Sequence, residues 1–130
     1  MGRTIPIIRL YDTLIVSIQI ELSDAVVLEL RDNIGTEIIK HAARGLIIEA
    51  SGVDVFDSFI ARTVRDIAKV TSLMGVRTVL AGLDAAMATT LVEMGMHMDG
   101  VRTALNLEAA MESLHDELPR PGAAPSGVRS

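Results

Sequence analysis

The sequence contains no cysteine. That excludes disulfides, thiol nucleophiles and thiolate metal sites. Aromatic residues are nearly absent, just Tyr11, Phe56 and Phe59, so neither a base-stacking platform nor an aromatic sugar-binding surface is expected. Basic residues are few and scattered: 12 Lys and Arg face 17 Asp and Glu, for a net charge of −5. Such a surface does not favour nucleic acid, whose binding needs clustered cations to neutralise phosphates. No apolar run is long enough to span a bilayer, and no basic segment followed by an apolar one opens the chain. The expectation is a cytoplasmic protein without membrane or nucleic-acid partners.

What remains is aliphatic. Hydrophobic residues are 49% of 130 and charged residues 22%, a globular balance. A chain of this length forms one domain that buries roughly two-thirds of its unfolded surface. Its core must be built from Ile, Leu, Val, Ala and Met.

Residues 5–11 and 14–20 are β-rich, with a polar break at Asp12-Thr13, and predict a β-hairpin. Pro6 cannot donate to a ladder, so the first strand belongs at a sheet edge, a possible surface for self-association. Ser23-Asp24 signals a helix start, and Val27, Leu30, Ile34 and Ile38 carry the helical period to about His41. Gly45 is expected to end that connection. Leu46-Ile47-Ile48 is a short strand of the kind buried on both faces.

Asp57-Ser58 can cap the next helix. Ile60, Val64, Ile67, Ala68 and Thr71 form its inner face, and Arg62, Arg65, Asp66 and Lys69 its outer one. Gly75 stops it. A strand over 76–81, a turn and cap at Gly82-Leu83-Asp84 and a helix over 85–94 follow. A strand near Val101-Arg102 and a helix over 107–118 complete the domain. The order ββαβαβαβα predicts an α/β fold: a mostly parallel sheet with an antiparallel N-terminal hairpin and about four helices. Residues 1–118 are read as the domain. Residues 119–130, with three prolines and little apolar bulk, are read as a disordered tail.

Catalytic constellations are missing. No Gly-x-Gly-x-x-Gly, no phosphate loop and no Gly-x-Ser-x-Gly occurs. His41, His97 and His115 stand far apart in sequence, near helix ends, without ligand spacing. The expectation is a non-enzyme with no cofactor and no metal. Met87, Leu91 and Met94 have core spacing, whereas Met96 and Met98 alternate with polar residues and could face a subunit contact.

The segment that stands out runs from Ser51 to Arg62, through Asp54, Phe56, Asp57, Ser58 and Phe59. It follows a central strand at its carboxyl end, where open α/β sheets place functional loops. It also opens a helix, whose first amides and dipole favour negative charge. A phosphate on Ser58 would bring a charge of about −1.5 to −2 between two carboxylates without breaking the fold. A docked protein would feel the repulsion. The same residues also fit an ordinary helix cap.

The element order and the Asp57-Ser58 junction resemble the STAS-domain family, which has a SpoIIAA-like fold. The residues that carry the resemblance are Ile5 to Tyr11, Leu14 to Gln19, Val53 to Ala61, Leu73-Met-Gly75 and Thr103 to Glu108. Within the family the chain looks most like the scaffold proteins of the stressosome. The resemblance implies a phosphorylatable scaffold, self-associated into dimers and a larger assembly with RsbR-like STAS paralogues. It implies an RsbT-like switch kinase held until Ser58 is phosphorylated, and an RsbX-like phosphatase that resets the system. Carried over, Ser58 is the phospho-acceptor, and Asp54, Asp57 and Phe59 border the partner-binding surface. RsbR-type proteins carry an extra N-terminal sensor, so the short segment before the first strand fits the sensorless partner. The alternative is a simple anti-sigma-factor antagonist that binds its kinase one to one. Such antagonists usually have a small residue and a glycine after the serine, where this chain has Phe59 and Ile60.

Overall fold

The computed structural model describes residues 5–18, 22–53, 57–93 and 101–117. Its elements are β1 (Ile7–Leu10), β2 (Thr13–Ser17), α1 (Asp24–His41), β3 (Gly45–Glu49), α2 (Ser58–Leu73), β4 (Arg77–Ala81), α3 (Ala85–Glu93), β5 (Val101–Ala104) and α4 (Leu107–Glu117). The five strands form one sheet in sequence order. β1 is antiparallel to β2, and β2 through β5 are mutually parallel.

Because each crossover advances one strand in the same direction, a constant hand puts α1, α2 and α3 on the same face. The core shows this. Leu30, Ile34 and Ile38 of α1, Ala61, Val64 and Ile67 of α2, and Met87 and Leu91 of α3 pack with Leu14, Val16, Leu46, Ile48 and Leu80. Among the described residues, α4 alone covers the opposite face, where Ala110 and Leu114 meet Ile15, Ile47, Val79 and Ala81. β3 lies between these layers, which explains its unbroken apolar run. Gly45 belongs to this packing: a Cβ there would come 2.9 Å from Leu114 Cδ1 and 3.3 Å from Thr13 Oγ1. Its role is close approach of α4 to the sheet.

The helix boundaries follow local chemistry. Ser23 caps α1 by accepting from the Val26 amide. The helix ends at His41, as its period predicts, on Ala42 in the left-handed region with φ 51°, and Gly45 closes the connection by opening β3. α2 ends as its sequence predicts: Gly75 takes φ +80°, and the Val76 amide returns to the Thr71 carbonyl at 3.0 Å. Thr71, on the buried face, is satisfied by the Ala68 carbonyl and by the Thr78 hydroxyl at 2.9 Å.

The hairpin turn sits one residue earlier than its polar pair implied. Leu10 pairs with Thr13, so Tyr11 and Asp12 form the turn, with Tyr11 at φ 57°. The reason is that Thr13 is buried and begins β2, while the exposed Tyr11 takes the bend. β1 is an edge strand, with Pro6 just before it. The expected tail, His97, Met94, Met96 and Met98 lie outside the described residues.

Candidate functional site

The carboxyl ends of the parallel strands form a row in register: Ser17, Glu49, Ala81 and Ala104. Above it the chain leaves the sheet for all four helices, and the starts of α2, α3 and α4 share one kind of cap, an aspartate or asparagine. Asp57 Oδ1 accepts from the Ile60 amide at 3.0 Å, Asp84 Oδ1 from Met87 at 2.8 Å, and Asn106 Oδ1 from Ala109 at 2.8 Å. Each such cap stabilises by about 1 kcal/mol.

Leaving β3, the segment is pinned before it reaches α2. The Ala50 amide donates to the Ala81 carbonyl at 2.9 Å. Ser51 folds back on Glu49, its hydroxyl donating to Oε1 at 2.8 Å and its amide facing both carboxylate oxygens at 3.3 Å. Val53 packs against the main core. Gly82, at the end of β4, makes room for this clasp. A Cβ there would lie 2.6 Å from Glu49 Oε2 and 2.8 Å from the Ser51 nitrogen, and its φ of +88° suits glycine. Glu49, Ser51 and Gly82 thus interlock two neighbouring loops. Sequence reasoning reads Gly82 as a turn residue and gives Glu49 no role. The available signal was one acidic residue ending an otherwise apolar strand.

Asp57 is the cap, exposed, with extended backbone. Ser58 is the first residue of α2 and half-buried, so its position is neither sealed in the interior nor projecting freely. Phe59 is half-buried and packs on the main core, and its carbonyl accepts from Thr63 Oγ1 at 2.8 Å. The structure therefore brings Asp57, Ser58 and Phe59 together as consecutive residues of one helix start. Asp54 lies outside the described residues. His41 is paired with Glu37 one turn back on α1, at 3.3 Å, and His115 is exposed on α4. Among the described residues, no group of three or more His, Asp or Glu could hold a metal ion. No helix among them is long and apolar enough to cross a membrane.

A hydroxyl at the first position of a helix, beside a carboxylate already engaged in capping, is suited to carry a negative group. The amides of the first turn and the helix dipole stabilise an anion there by about 0.3–1 kcal/mol.

Comparison with known proteins agrees with this architecture. Residues 4–110 match the model of the STAS domain. The structure of Moorella thermoacetica RsbS S58E is similar at 34% identity and a TM-score of 0.74, covering 87% of this chain and 96% of that one. A chain from the molecular architecture of the stressosome, described as a signal integration and transduction hub, is similar at 35% identity and TM-score 0.75, covering 86% and 97%. The RsbT co-antagonist protein RsbRA of Bacillus subtilis (strain 168) is 26% identical over 82 residues, 63% of this chain. The matched stretch is about 30% of RsbRA's length. The chain belongs to the STAS-domain family, with RsbS among its relatives over nearly the whole of that protein's length.

Proposed function

We propose that this chain is a phospho-regulated scaffold of a cytoplasmic stressosome-type assembly. In this reading it holds an RsbT-like switch kinase and releases it when Ser58 is phosphorylated. The observation that carries the reading is the placement of Ser58: first in α2, half-buried, at the carboxyl end of the central strands. RsbS and the stressosome chain support it as relatives at 34% and 35% identity. The RsbS structure also bears a serine-to-glutamate exchange, S58E, which puts negative charge in place of a hydroxyl.

Physically, the switch is electrostatic. The kinase transfers the γ-phosphoryl group of ATP to Ser58 Oγ. The new O–P bond replaces the bond to ADP, and the hydroxyl proton leaves to the kinase. A near-dianion then sits beside Asp57, and a protein docked over Asp54, Asp57 and Phe59 meets like charge and lost hydrogen bonds. Phe59 contributes by anchoring this corner to the core, which keeps the surface in place when its charge changes. The chain itself supplies no catalytic group. Its partners are RsbR-like STAS paralogues, further copies of itself, the kinase, and an RsbX-like phosphatase that removes the phosphate.

The test is copurification with a paralogue and the kinase. Native protein and Ser58→Ala should retain the kinase, and Ser58→Asp should hold it more loosely. Mass spectrometry after incubation with kinase and Mg-ATP should find phosphate on Ser58. Equal retention by alanine and aspartate, or phosphate only at other residues, contradicts the reading.

A further inference from the structure

The outer face of α2 carries a basic stripe that begins one turn after Ser58. Arg62 stands at i+4, Arg65 at i+7 and Lys69 at i+11. Arg62 and Lys69 are exposed. Arg65 is half-buried, and its Nε is buried without a hydrogen-bond partner among the described residues. The chain as a whole is acidic, at −5, so a run of cations down one helix face is not its average surface.

Four residues of helix are about 6 Å of rise. Side chains on a helix lean toward its N-terminus, so Arg62 leans back over the turn that Ser58 begins. An anion at i with a cation at i+4 is also the favoured order for such pairs. The competing carboxylate, Asp66, is four residues past Arg62 and offers the less favoured order, cation first. Asp57 is engaged by the Ile60 amide. A neutral serine hydroxyl gives Arg62 little reason to settle. A phosphate would give it two acceptor oxygens in the geometry a guanidinium fork matches.

We propose that Arg62 is the receiver of the phosphate within this chain: on phosphorylation of Ser58 its guanidinium closes onto the phosphate oxygens. Arg65, the next cation along the stripe, adds positive field behind it. The modification then changes the surface twice. It adds negative charge, and it withdraws Arg62 from any partner that used it as a donor. The phosphate is also held in one place at the helix start rather than sampling many positions.

This inference rests on Ser58 as the modified residue, and its test is independent of any kinase. Phosphoserine is installed at position 58 during synthesis, and the second ionisation of the phosphate is followed by phosphorus NMR against pH. Arg62→Ala should raise that pKa by about half a unit relative to the native background, because a nearby cation favours the dianion. Arg62→Lys should keep part of the effect, as a point charge without the fork. Lys69→Ala removes the same charge beyond a Debye length and should change little. Identical titrations for native and Arg62→Ala, or an equal shift from Lys69→Ala, would overturn the proposal. Failure of a kinase to modify Ser58 would instead sink the functional reading and leave this measurement standing.

Discussion

The starts of α2 and α3 are built alike, yet just one of them carries a modifiable group. Both follow the carboxyl ends of adjacent parallel strands, and both use an aspartate whose Oδ1 accepts the amide three residues on, Ile60 for Asp57 and Met87 for Asp84. Their next residues differ. α2 opens on Ser58, with Arg62 one turn along, whereas α3 opens on the exposed Ala85, with Thr89 one turn along donating to the Ala85 carbonyl at 2.8 Å. The lesson is that the cap is architecture and recurs, while the position after it varies: a hydroxyl in one start, a methyl in the other. Asp57 therefore says little about function by itself, and Ser58 with Arg62 says more.

The two starts are also mechanically joined, and breaking that joint is expected to have the largest effect. Gly82→Ala forces a side chain onto a φ of +88° and drives its Cβ to 2.6 Å from Glu49 Oε2. Positive φ for a non-glycine residue costs about 1–3 kcal/mol, and displacing the Ser51 clasp adds to it. A loss of about 2–3 kcal/mol in urea unfolding is expected. Gly35→Ala is the contrast. Its Cβ meets nothing within 4 Å inside α1, so it should stabilise by about 0.5–1 kcal/mol. A neutral Gly82→Ala would show that the two loops are independent.

The next largest effect separates the starts by function. Ser58→Glu and Ala85→Glu each place one carboxylate at the first position of a helix at the same end of the sheet. Both should leave folding within about 0.5 kcal/mol, since a negative charge suits that position. Ser58→Glu should weaken capture of an RsbT-like kinase by about tenfold, or about 1.4 kcal/mol. Ala85→Glu should leave capture within about twofold. Calorimetric titration of the kinase into each variant measures this. If Ala85→Glu weakens binding equally, the kinase responds to the overall charge of this end of the molecule and not to Ser58.

Much of this geometry is visible in the sequence because it rests on local rules. The period of Leu30, Ile34 and Ile38, the apolar run of β3, the caps at Ser23, Asp57 and Asp84, and the stop at Gly75 each need a few neighbouring residues. The mostly parallel sheet follows from the alternation of strands and helices, whereas the order of its strands is seen in the structure. What was not legible depends on contacts between distant segments. Glu49, Ser51 and Gly82 meet across two loops, and Gly45 is small because Leu114, far along the chain, lies on it. Tyr11 and Ala42 are a third kind of miss. They take left-handed backbone without being glycine, because the surrounding strand pairing and helix end impose it.

The smallest difference is the most direct test of whether the caps are equivalent. Asp57→Ala and Asp84→Ala should each cost about 1 kcal/mol in urea unfolding, because each leaves one first-turn amide without its acceptor. The double variant should be additive to within about 0.5 kcal/mol, as expected for caps that share no partner. Asp57→Asn retains an acceptor oxygen and should cost far less than alanine. Kinase capture provides the second axis. If Asp57 borders the docked kinase, Asp57→Asn should alter capture while sparing stability, and Asp84→Asn should alter neither. Equal behaviour of the two asparagine variants in both measurements would reduce Asp57 to a cap and leave Ser58 and Arg62 as the residues that distinguish the two helix starts.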